Sequence, residues 1–318
     1  MVDGSDPTLR ELGEFPMIDR LTAARRQPAG VTVGPGDDAA VLDAPDGRVV
    51  VTTDMLVEGR HFRLDWSTPH DVGRKAIAQN AADVESMGAR VAAFVVAFGA
   101  PPDTTASRVQ ELADGMWQEA GACGAGIVGG DLVSSPQWVV SVTAIGDLAG
   151  RAPVLRSGAR AGSVVAVAGE LGRSAVGFAL WHRGIGGFAE LKRRHLVPEP
   201  PYGQGARAAD AGAQAMTDVS DGLLADLGHI AAASAVTIDL STAALQDDVA
   251  AVAAAAAETA VDPLALVLSG GEDHALVGCF PGAAPAGWRV IGTVRDGAAG
   301  VLVDGREWSG PAGWQSFD

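Results

Sequence analysis

The stretch DVSDGLLADLGHI, residues 218–230, places two aspartates three residues apart where a predicted helix begins. Asp218 and Asp221 flank Ser220, and the helix is predicted over residues 222–234. One aspartate in this position is commonly a helix N-cap, because its carboxylate accepts hydrogen bonds from the first amides of the helix. Two aspartates exceed what capping requires, so the stretch predicts an acidic functional site.

Acidic residues recur beside glycine or small apolar residues along the rest of the chain. These acidic residues have almost no basic neighbours. They are Asp37 and Asp38 in GDDAAVL (36–42), Asp54 in TTDMLVEGRHF (52–62), Asp83 in NAADVESMGA (80–89), Asp131 in GGD (129–131), and Glu272 and Asp273 in LSGGEDH (268–274). A single Gly-Asp pair usually forms a turn. Burying several unpaired carboxylates is costly, whereas Mg²⁺ prefers carboxylate oxygens together with water and phosphate oxygens. The repeated pattern therefore predicts a site for divalent cations.

The common phosphate-binding motifs are missing from this sequence. The chain has two lysines, Lys75 and Lys192, and neither lies in a GxxxxGK[ST] loop. A kinase glycine-rich loop with paired HRD and DFG motifs is also missing. A phosphotransferase with this sequence would therefore handle ATP by another route, for which bound metal is the candidate.

Other residues near the acidic motifs have both a functional and a structural interpretation. The hydroxyls or carbonyls of Thr52 and Thr53 could complete a metal shell, or the pair could reflect strand propensity alone. Arg156 could clamp a phosphate or be a surface linker residue. His61 could be a packed core histidine. The loop at 169–174 precedes a predicted helix and could cradle a phosphate through its amides.

Composition narrows the class of protein. The chain has 318 residues, 47% of them hydrophobic, which is enough for two domains with a substantial core. Acidic residues outnumber basic ones by 39 to 23, a formal charge of −16, which argues against nucleic acid or an anionic membrane as a partner.

Compartment is indicated by the cysteines and by the apolar runs. Cys123 and Cys279 are far apart in sequence and match neither a disulfide framework nor a metal knuckle, so we expect buried core residues in a reducing, cytoplasmic setting. The polar N-terminus lacks a signal-peptide core, and the longest apolar runs are about half of what a membrane helix needs.

Alternating strand and helix patterns predict an α/β fold. Strands are predicted at 49–53, 91–98 and 138–145, with helices at 8–26, 68–87 and 106–120. A turn-rich connector at 146–162 predicts a boundary near residue 150, giving domains 1–150 and 151–318. The second domain is predicted to contain a strand at 163–167, late strands at 290–294 and 300–303, and helices at 175–182, 222–234 and 245–260.

The ordered set of motifs resembles the thiamine-monophosphate kinase family. GDDAAVL, TTDMLVEGRHF, NAADVESMGA, GGD, RSGARAG (156–162), DVSDGLLADLGHI and LSGGEDH appear in the family's order and span nearly the whole chain. The resemblance implies a two-domain aminoimidazole ribonucleotide synthetase-like fold, with an N-terminal ATP- and Mg²⁺-binding and dimerisation domain that has a mixed sheet, and a C-terminal α/β domain that completes the active-site cleft. It also implies a homodimer.

The same resemblance implies an activity. The family transfers the γ-phosphoryl group of ATP to thiamine monophosphate, giving thiamine diphosphate in the last step of its biosynthesis. Several Mg²⁺ ions assist direct in-line transfer, without a covalent phospho-enzyme or an essential catalytic histidine.

The implied site residues fall into three groups. Metal binding is assigned to Asp38, Thr52, Thr53, Asp54, Asp83, Asp131, Asp218 and Asp221. ATP binding is assigned to Gly130, Asp131, Arg156 and Ser220. Contact with thiamine monophosphate is assigned to His61 and Glu272, with Trp314 in GWQSF stacking on the ring of the substrate.

Two departures from the family pattern affect the details of the pocket. Family members commonly have a tyrosine after GGED, where this chain has His274, and they often have LSD where it has AAD (81–83). Neither departure removes a predicted ligand. The alternatives are a sister ATP enzyme of the same fold with another substrate, a nucleotide-binding regulatory protein without turnover, or a slow ATPase without an acceptor.

Overall fold

The computed structural model describes residues 6–35 and 39–314, and the fold is α/β, as predicted. The chain divides into two compact units. The first consists of Met1–Ala81 and Val91–Asp147, and the second of Ala82–Arg90 and Leu148–Asp318. The roles predicted for domains 1–150 and 151–318 stay predictions.

The first unit is built on a sheet with strand order β3-β6-β4-β5. Its elements are α1 (Leu9–Leu12), α2 (Glu14–Thr22), β1 (Val31–Val33), β2 (Val41–Leu42), β3 (Val50–Val57), α3 (Pro69–Ser86), β4 (Arg90–Ala100), α4 (Ala106–Ala122), β5 (Gly126–Ser134) and β6 (Val139–Asp147). Strand β3 pairs antiparallel with β6, and β4 pairs parallel with β5. Because β3 lies at an edge of the sheet, one side of its backbone is available to groups outside the sheet.

Alternation along β3 decides which side chains face the core. Leu56 is 1% exposed, whereas Val51 and Met55 on the other face are 61% and 52% exposed. Leu56 lies opposite Val140 of β6, which is also buried. Since side chains in a strand alternate between faces, Thr52 and Asp54 share the core face with Leu56.

The N-terminal helical region differs from the prediction of one helix over residues 8–26. It consists of α1 and α2, which are separated at Gly13, where φ is +82°. Thr8 caps α1 through a reciprocal hydrogen-bonding pattern with Glu11. A glycine with positive φ ends a helix readily, and this explains the break.

The second unit is built on a sheet with strand order β13-β12-β9-β11-β7-β10-β8. Its elements are β7 (Val164–Ala168), α5 (Arg173–His182), α6 (Ala189–Leu196), α7 (Gln204–Asp210), β8 (Ala215–Asp218), α8 (Leu223–Ser234), β9 (Thr237–Leu240), a 3₁₀ turn (Thr242–Leu245), α9 (Gln246–Thr259), α10 (Pro263–Ser269), β10 (Leu276–Phe280), β11 (Arg289–Arg295), β12 (Gly300–Val303) and β13 (Arg306–Glu307). Strand β10 is entirely buried between β7 and β8. It therefore fixes the ends of both neighbouring strands.

The last turn of α3 belongs to the second unit and is fixed there by a buried carboxylate. Glu85 is 3% exposed and accepts hydrogen bonds from the amides of Gly203 and Gly205, at 2.8 and 2.9 Å. Burial raises the pKa of Glu85, and the two amides oppose that rise. The interaction holds the end of α3, and with it Asp83, in a defined place within this unit.

No single helix among residues 6–35 and 39–314 has both the length and the apolar composition to cross a membrane. A helix pair, Thr242–Thr259 with Pro263–Ser269, meets those two criteria only when its members are taken together, and it is bent by 115°.

Candidate active site

Two loops of the second unit lie side by side. The aspartate loop, residues 218–222, follows β8, and the GGED loop, residues 269–274, precedes β10. Leu276 pairs with Asp218 in the antiparallel ladder, so the loops leave the sheet at the same end. The amide of Glu272 donates to the Ser220 carbonyl at 2.8 Å, and that of His274 donates to the Val219 carbonyl at 2.9 Å. The two loops are therefore one structural unit.

Glycine is required where these loops approach each other. A Cβ atom at Gly271 would lie 2.6 Å from the carbonyl oxygen of Ser220. A Cβ atom at Gly222, where φ is +131°, would lie 2.8 Å from the carbonyl oxygen of Ser269. Both distances are too short for any real side chain. The glycines of DVSDG and GGED thus allow backbone to meet backbone.

Asp218 is buried against a histidine. It is 3% exposed and His274 is 5% exposed, and Oδ2 of Asp218 lies 3.1 Å from Nδ1 of His274. Burial alone would lower the pKa of His274, but the hydrogen bond and charge of Asp218, with the charges of Glu272 and Asp83, raise it overall. Asp83, at the end of α3, therefore acts on the same cluster.

Asp226 is a member of this cluster that the sequence analysis missed. It is 1% exposed, and its Oδ2 accepts the amides of Asp221 and Gly222 at 3.1 and 3.0 Å. Burial and the charge of Asp218 raise the pKa of Asp226 to about 7. Burial and the same charge also raise the pKa of Asp221. An aspartate in the first turn of a helix resembles an ordinary partner of the helix dipole, which hid this role.

Burial, together with the negative charge gathered in this cluster, raises the pKa values of Asp221 and Asp226. Such a set of oxygen donors fits a hard divalent cation, which would relieve the repulsion. Within residues 6–35 and 39–314, however, no three histidine, cysteine, aspartate or glutamate side chains form a ready-made metal site. The fit therefore rests on donor chemistry and charge.

Arg156 lies near the aspartate loop. Its side chain is exposed, and its charge lowers the pKa of Asp221 against the effects of burial and Asp218. Its backbone is held by Ser234, whose hydroxyl donates to the Arg156 carbonyl at 3.0 Å and accepts the amides of Gly158 and Ala159. The segment around Arg156 is thus fixed at the end of α8.

The predicted substrate residues of the second unit, Glu272 and Trp314, both adjoin the aspartate loop. Glu272 has a left-handed backbone, φ +62°, and its Oε2 lies 3.4 Å from Nδ1 of His195. Trp314 is 64% exposed, and its amide donates to the Asp221 carbonyl at 2.9 Å. The indole is therefore accessible beside the candidate metal ligands.

The loop at 169–174 does not offer its amides to an external phosphate. Asp273 accepts the amides of Gly172 and Ser174 at 2.5 and 2.8 Å, so an internal carboxylate occupies the N-terminus of α5. Burial raises the pKa of Asp273 to about 7, while the two amides oppose that rise. The interpretation of this loop as a phosphate cradle is wrong.

In the first unit, the candidate ligands of β3 fall on two faces of the sheet. Thr52 and Asp54 are partly buried on the core face. The amide of Asp54 donates to Oδ1 of Asn80 on α3 at 3.0 Å. The Thr53 hydroxyl lies on the opposite face, where it donates to the Val142 carbonyl and accepts from Thr143. The structure does not bring the Thr53 side chain together with those of Thr52 and Asp54.

On β5, Gly130 and Asp131 have different surroundings. A Cβ atom at Gly130 would lie 2.0 Å from the Val96 carbonyl oxygen, so glycine here permits the close pairing of β4 and β5. Asp131 is exposed, and its Oδ1 accepts the amide of Leu132 at 3.0 Å. Asp131 is thus available to a ligand. The close pairing of β4 and β5 by itself explains why residue 130 is glycine.

His61 is exposed rather than packed in the core. It lies in the substrate loop, residues 58–62, which follows β3. Its Nδ1 accepts the amide of Val57 at 3.1 Å. Asp38 lies outside the described residues.

The candidate residues thus fall into two sets. The first unit contains Thr52, Thr53, Asp54, His61, Gly130 and Asp131, and the second contains Asp83, Arg156, Asp218, Ser220, Asp221, Glu272 and Trp314. In the second set, the aspartate and GGED loops bring most of the members together. Their roles stay predictions.

The fold belongs to a known class of α/β protein. Residues 36–148 match the family model described as AIR synthase related protein, N-terminal domain. The solved thiamine-monophosphate kinase of Stenotrophomonas maltophilia K279a is similar over 91% of this chain and 96% of its own, with TM-score 0.77 and 31% identity. AaThiL complexed with AMPPCP and TMP is similar over 99% and 100%, with TM-score 0.76 and 29% identity.

Curated relatives narrow this class to one family. The thiamine-monophosphate kinase of Mycobacterium tuberculosis H37Rv is 72% identical over 311 residues, covering 98% of this chain and 93% of that protein. The thiamine-monophosphate kinase of Corynebacterium glutamicum is 44% identical, covering 98% and 95%. The chain belongs to the thiamine-monophosphate kinase family.

Proposed function

We propose that Mg²⁺ ions held by aspartates assist the reaction of this chain, the ATP-dependent phosphorylation of thiamine monophosphate to thiamine diphosphate. The observation that carries the metal proposal is the cluster of Asp218, Asp221 and Asp226, in which burial and the charge of Asp218 raise the pKa values of Asp221 and Asp226. Divalent cations would stabilise such a cluster. The similarity to AaThiL complexed with AMPPCP and TMP supports the two substrates.

In this proposal Asp83, Asp218 and Asp221 hold metal in the second unit, and Thr52, Asp54 and Asp131 do so in the first. Asp38 keeps its predicted metal role, and for Thr53 that role falls to the backbone carbonyl, because its hydroxyl donates to the Val142 carbonyl on the opposite face of the sheet. When bound, Mg²⁺ neutralises phosphate oxygens and aligns them for in-line transfer.

The chain's own groups position the reactants. Asp226 holds the amides of Asp221 and Gly222, which fixes the backbone of the aspartate loop. Arg156 supplies positive charge to ATP, with Ser220 and Gly130 beside the phosphates. His61, Glu272 and Trp314 contact thiamine monophosphate. The acceptor is already an oxyanion, so the transfer requires neither a strong general base nor a covalent intermediate.

The test is a product assay. Purified protein is incubated with ATP, thiamine monophosphate and Mg²⁺, and the thiamine phosphates are separated by chromatography. We expect thiamine diphosphate only when all three are present. Diphosphate formed at the full rate after chelation with EDTA would contradict the metal proposal, whereas ATP hydrolysis without diphosphate would contradict the acceptor.

We also propose a homodimer formed through the open face of the first unit's sheet. That face contains Val51 and Met55, exposed at 61% and 52%, and their partners Ile145 and Ser141 on β6. Adjacent exposed apolar side chains on a regular sheet are typical of an interaction surface. A second copy of the same face is an apolar surface of matching character.

Sedimentation velocity tests the dimer. Met55→Glu places a charge on the open face and should shift the protein to monomer. Val290→Glu is the matched control, because Val290 is an exposed strand residue of the second unit, at 47%. Equal sedimentation of both variants and the parent chain would contradict the proposed surface.

A cytoplasmic location completes the proposal. Cys123 and Cys279 do not form a disulfide; Cys279 is buried, as expected, which raises its pKa to about 12, whereas Cys123 is only partly buried, contrary to the expectation of a core residue. Thiols that stay outside disulfides fit a reducing compartment.

A further inference from the structure

Helix α3 carries a lysine inside the core of the first unit. Lys75 is 2% exposed and is among the largest fully buried side chains of the protein. An ammonium group is costly to bury, so its position calls for a specific partner. The other lysine, Lys192, lies over the ring of Trp181 in the second unit. Of the two lysines, Lys75 is the completely buried one, whereas Lys192 is partly buried.

One partner of Lys75 belongs to the substrate loop. Its Nζ donates to the backbone carbonyl of His61 at 3.0 Å. A hydrogen bond from a charged donor is stronger than a neutral one, and the buried surroundings exclude competing water. The contact therefore fixes the backbone of the loop at the residue predicted to meet the substrate.

The loop is closed around that same residue. The His61 amide donates to the Val57 carbonyl at 3.0 Å, while Nδ1 of His61 accepts the Val57 amide at 3.1 Å. The Gly59 amide donates to the Phe62 carbonyl at 2.8 Å. An Nδ1 that accepts a hydrogen bond places the proton of a neutral imidazole on Nε2. His61 is an exposed residue, and this tautomer gives its ring an N–H donor at Nε2.

We propose that Lys75 is a positioning residue for the substrate loop, which it locks so that His61 presents Nε2–H to the phosphate of thiamine monophosphate. This role rests on the proposed function. It requires no titration of Lys75 and no proton transfer by His61. A neutral donor fixed in advance avoids the entropic cost of ordering the ring when the anionic substrate binds.

The first experiment uses the parent chain without substrate. Nitrogen-15 NMR of the imidazole rings at neutral pH, with His61→Gln to assign the signal, distinguishes the tautomers. We expect a protonated Nε2 and an unprotonated, hydrogen-bonded Nδ1 at His61. An averaged signal or the opposite tautomer would overturn the proposal.

The second experiment removes the ammonium group. Lys75→Met keeps the length of the side chain, and Lys192→Met is the matched control at the other lysine. We expect Lys75→Met to raise KM for thiamine monophosphate by about 10- to 100-fold, the range for one hydrogen bond of a charged group. KM for ATP should change little, and the His61 signal should become averaged.

The remaining outcomes distinguish a positioning role of Lys75 from a purely structural one. Equal rises in both KM values, or an unchanged His61 signal in folded Lys75→Met, would show that Lys75 only supports the core. If circular dichroism shows that Lys75→Met does not fold, Lys75→Gln, which keeps a shorter donor, replaces it. If neither variant folds, the proposal is judged by the tautomer of His61 in the parent chain. A fixed tautomer in a chain that makes no thiamine diphosphate would contradict the function and leave the locked loop intact.

Discussion

The two sets of candidate residues are held in contrasting ways. In the second unit, Asp218, Asp221 and Asp226 crowd together, and burial with the charge of Asp218 disfavours the ionised forms of Asp221 and Asp226. In the first unit, β3 is held by neutral groups: Asn80 accepts the Asp54 amide, and Asn80 itself is completely buried. The interaction in the first unit is therefore neutral, whereas the cluster in the second unit has charge repulsion that a cation would relieve.

This contrast shows that carboxylates in similar sequence contexts can depend on different physics. Both Asp54 and Asp221 follow a strand-like segment and have small neighbours. Within its own unit, Asp221 has the carboxylates of Asp218 and Asp226 as neighbours, whereas the Asp54 amide is held by the neutral side chain of Asn80. Four experiments can break or sharpen the comparison.

The largest effect is expected from removing one charge of the crowded cluster. Asp221→Asn should lower turnover by about 100-fold or more, as loss of charge stabilisation at a transferring phosphoryl group does. Without metal, the variant should be at least as stable as the parent chain. The reason is that folding raises the pKa of the Asp221 carboxyl in the parent chain, so its ionised form destabilises the folded state. Steady-state kinetics and urea unfolding in EDTA measure the two effects.

The control for that experiment is Asp247→Asn, an exposed aspartate of α9. It should keep near-parental turnover and stability. A similar loss of turnover in both variants would mean that charge alone, rather than position, explains the result. A loss of stability in Asp221→Asn would contradict the repulsive cluster.

The next effect comes from separating the two loops of the second unit. Gly271→Ala places a Cβ atom against the Ser220 carbonyl, so we expect turnover to fall about tenfold and stability by about 2 kcal/mol, as overpacking does. Gly282→Ala is the matched control, since a Cβ atom there meets no atom within 4 Å. Equal behaviour of the two alanine variants would remove the argument for close loop contact.

A third effect concerns pH. The pKa of Asp226 is about 7 in the folded chain, against an ordinary value of 3.8, so the folded state binds more protons between those values. Stability of the metal-free protein should therefore fall as pH rises toward 7 and level off above it, with at most about 4 kcal/mol from this group. Urea unfolding in EDTA from about pH 5 to pH 8 covers most of the window.

Asp226→Asn tests the assignment of this slope. Its amide oxygen can still accept both loop amides, so the variant should reduce the slope, while Asp273, whose pKa is also about 7, maintains the remainder. Mg²⁺ added at pH 8 should restore stability to the parent chain. A slope that is unchanged in Asp226→Asn would assign it to other groups.

The smallest effect is expected in the first unit. Asn80→Ala removes the acceptor for the Asp54 amide and should lower stability by about 1–2 kcal/mol. Because the interaction is neutral, the loss should be the same with Mg²⁺ and with EDTA. Gln118→Ala, which removes a surface contact with His70, should change stability by less. A metal-dependent loss in Asn80→Ala would erase the contrast between the units.

Periodic elements of the fold were predictable from the sequence. The helix expected over residues 68–87 is α3, Pro69–Ser86, and the helix expected over 222–234 is α8, Leu223–Ser234. The first has Pro69 at its start and Gly88 just past its end, and the second begins directly after Gly222 of the DVSDG turn, which are local signals. Helix α6 was missed because the stretch 193–204 is polar and rich in proline, and its pattern is typical of a loop.

The candidate site was predictable as a set of residue types but not as a set of contacts. Motif order identified Asp218, Asp221 and Glu272. The roles of Asp226 and Lys75 depend on hydrogen bonds to backbone groups of other segments. The spacing of residues in the sequence does not predict such hydrogen bonds. The same limit explains the loop at 169–174, where the partner of the amides comes from the GGED loop.

Asp273 at the N-terminus of α5 has a consequence for an enzyme that works among phosphates. Free helix N-termini attract any dissolved anion. A carboxylate tethered by the chain has an effective concentration that free phosphate in solution does not match. The tethered carboxylate thereby keeps dissolved phosphate away from the amides of Gly172 and Ser174.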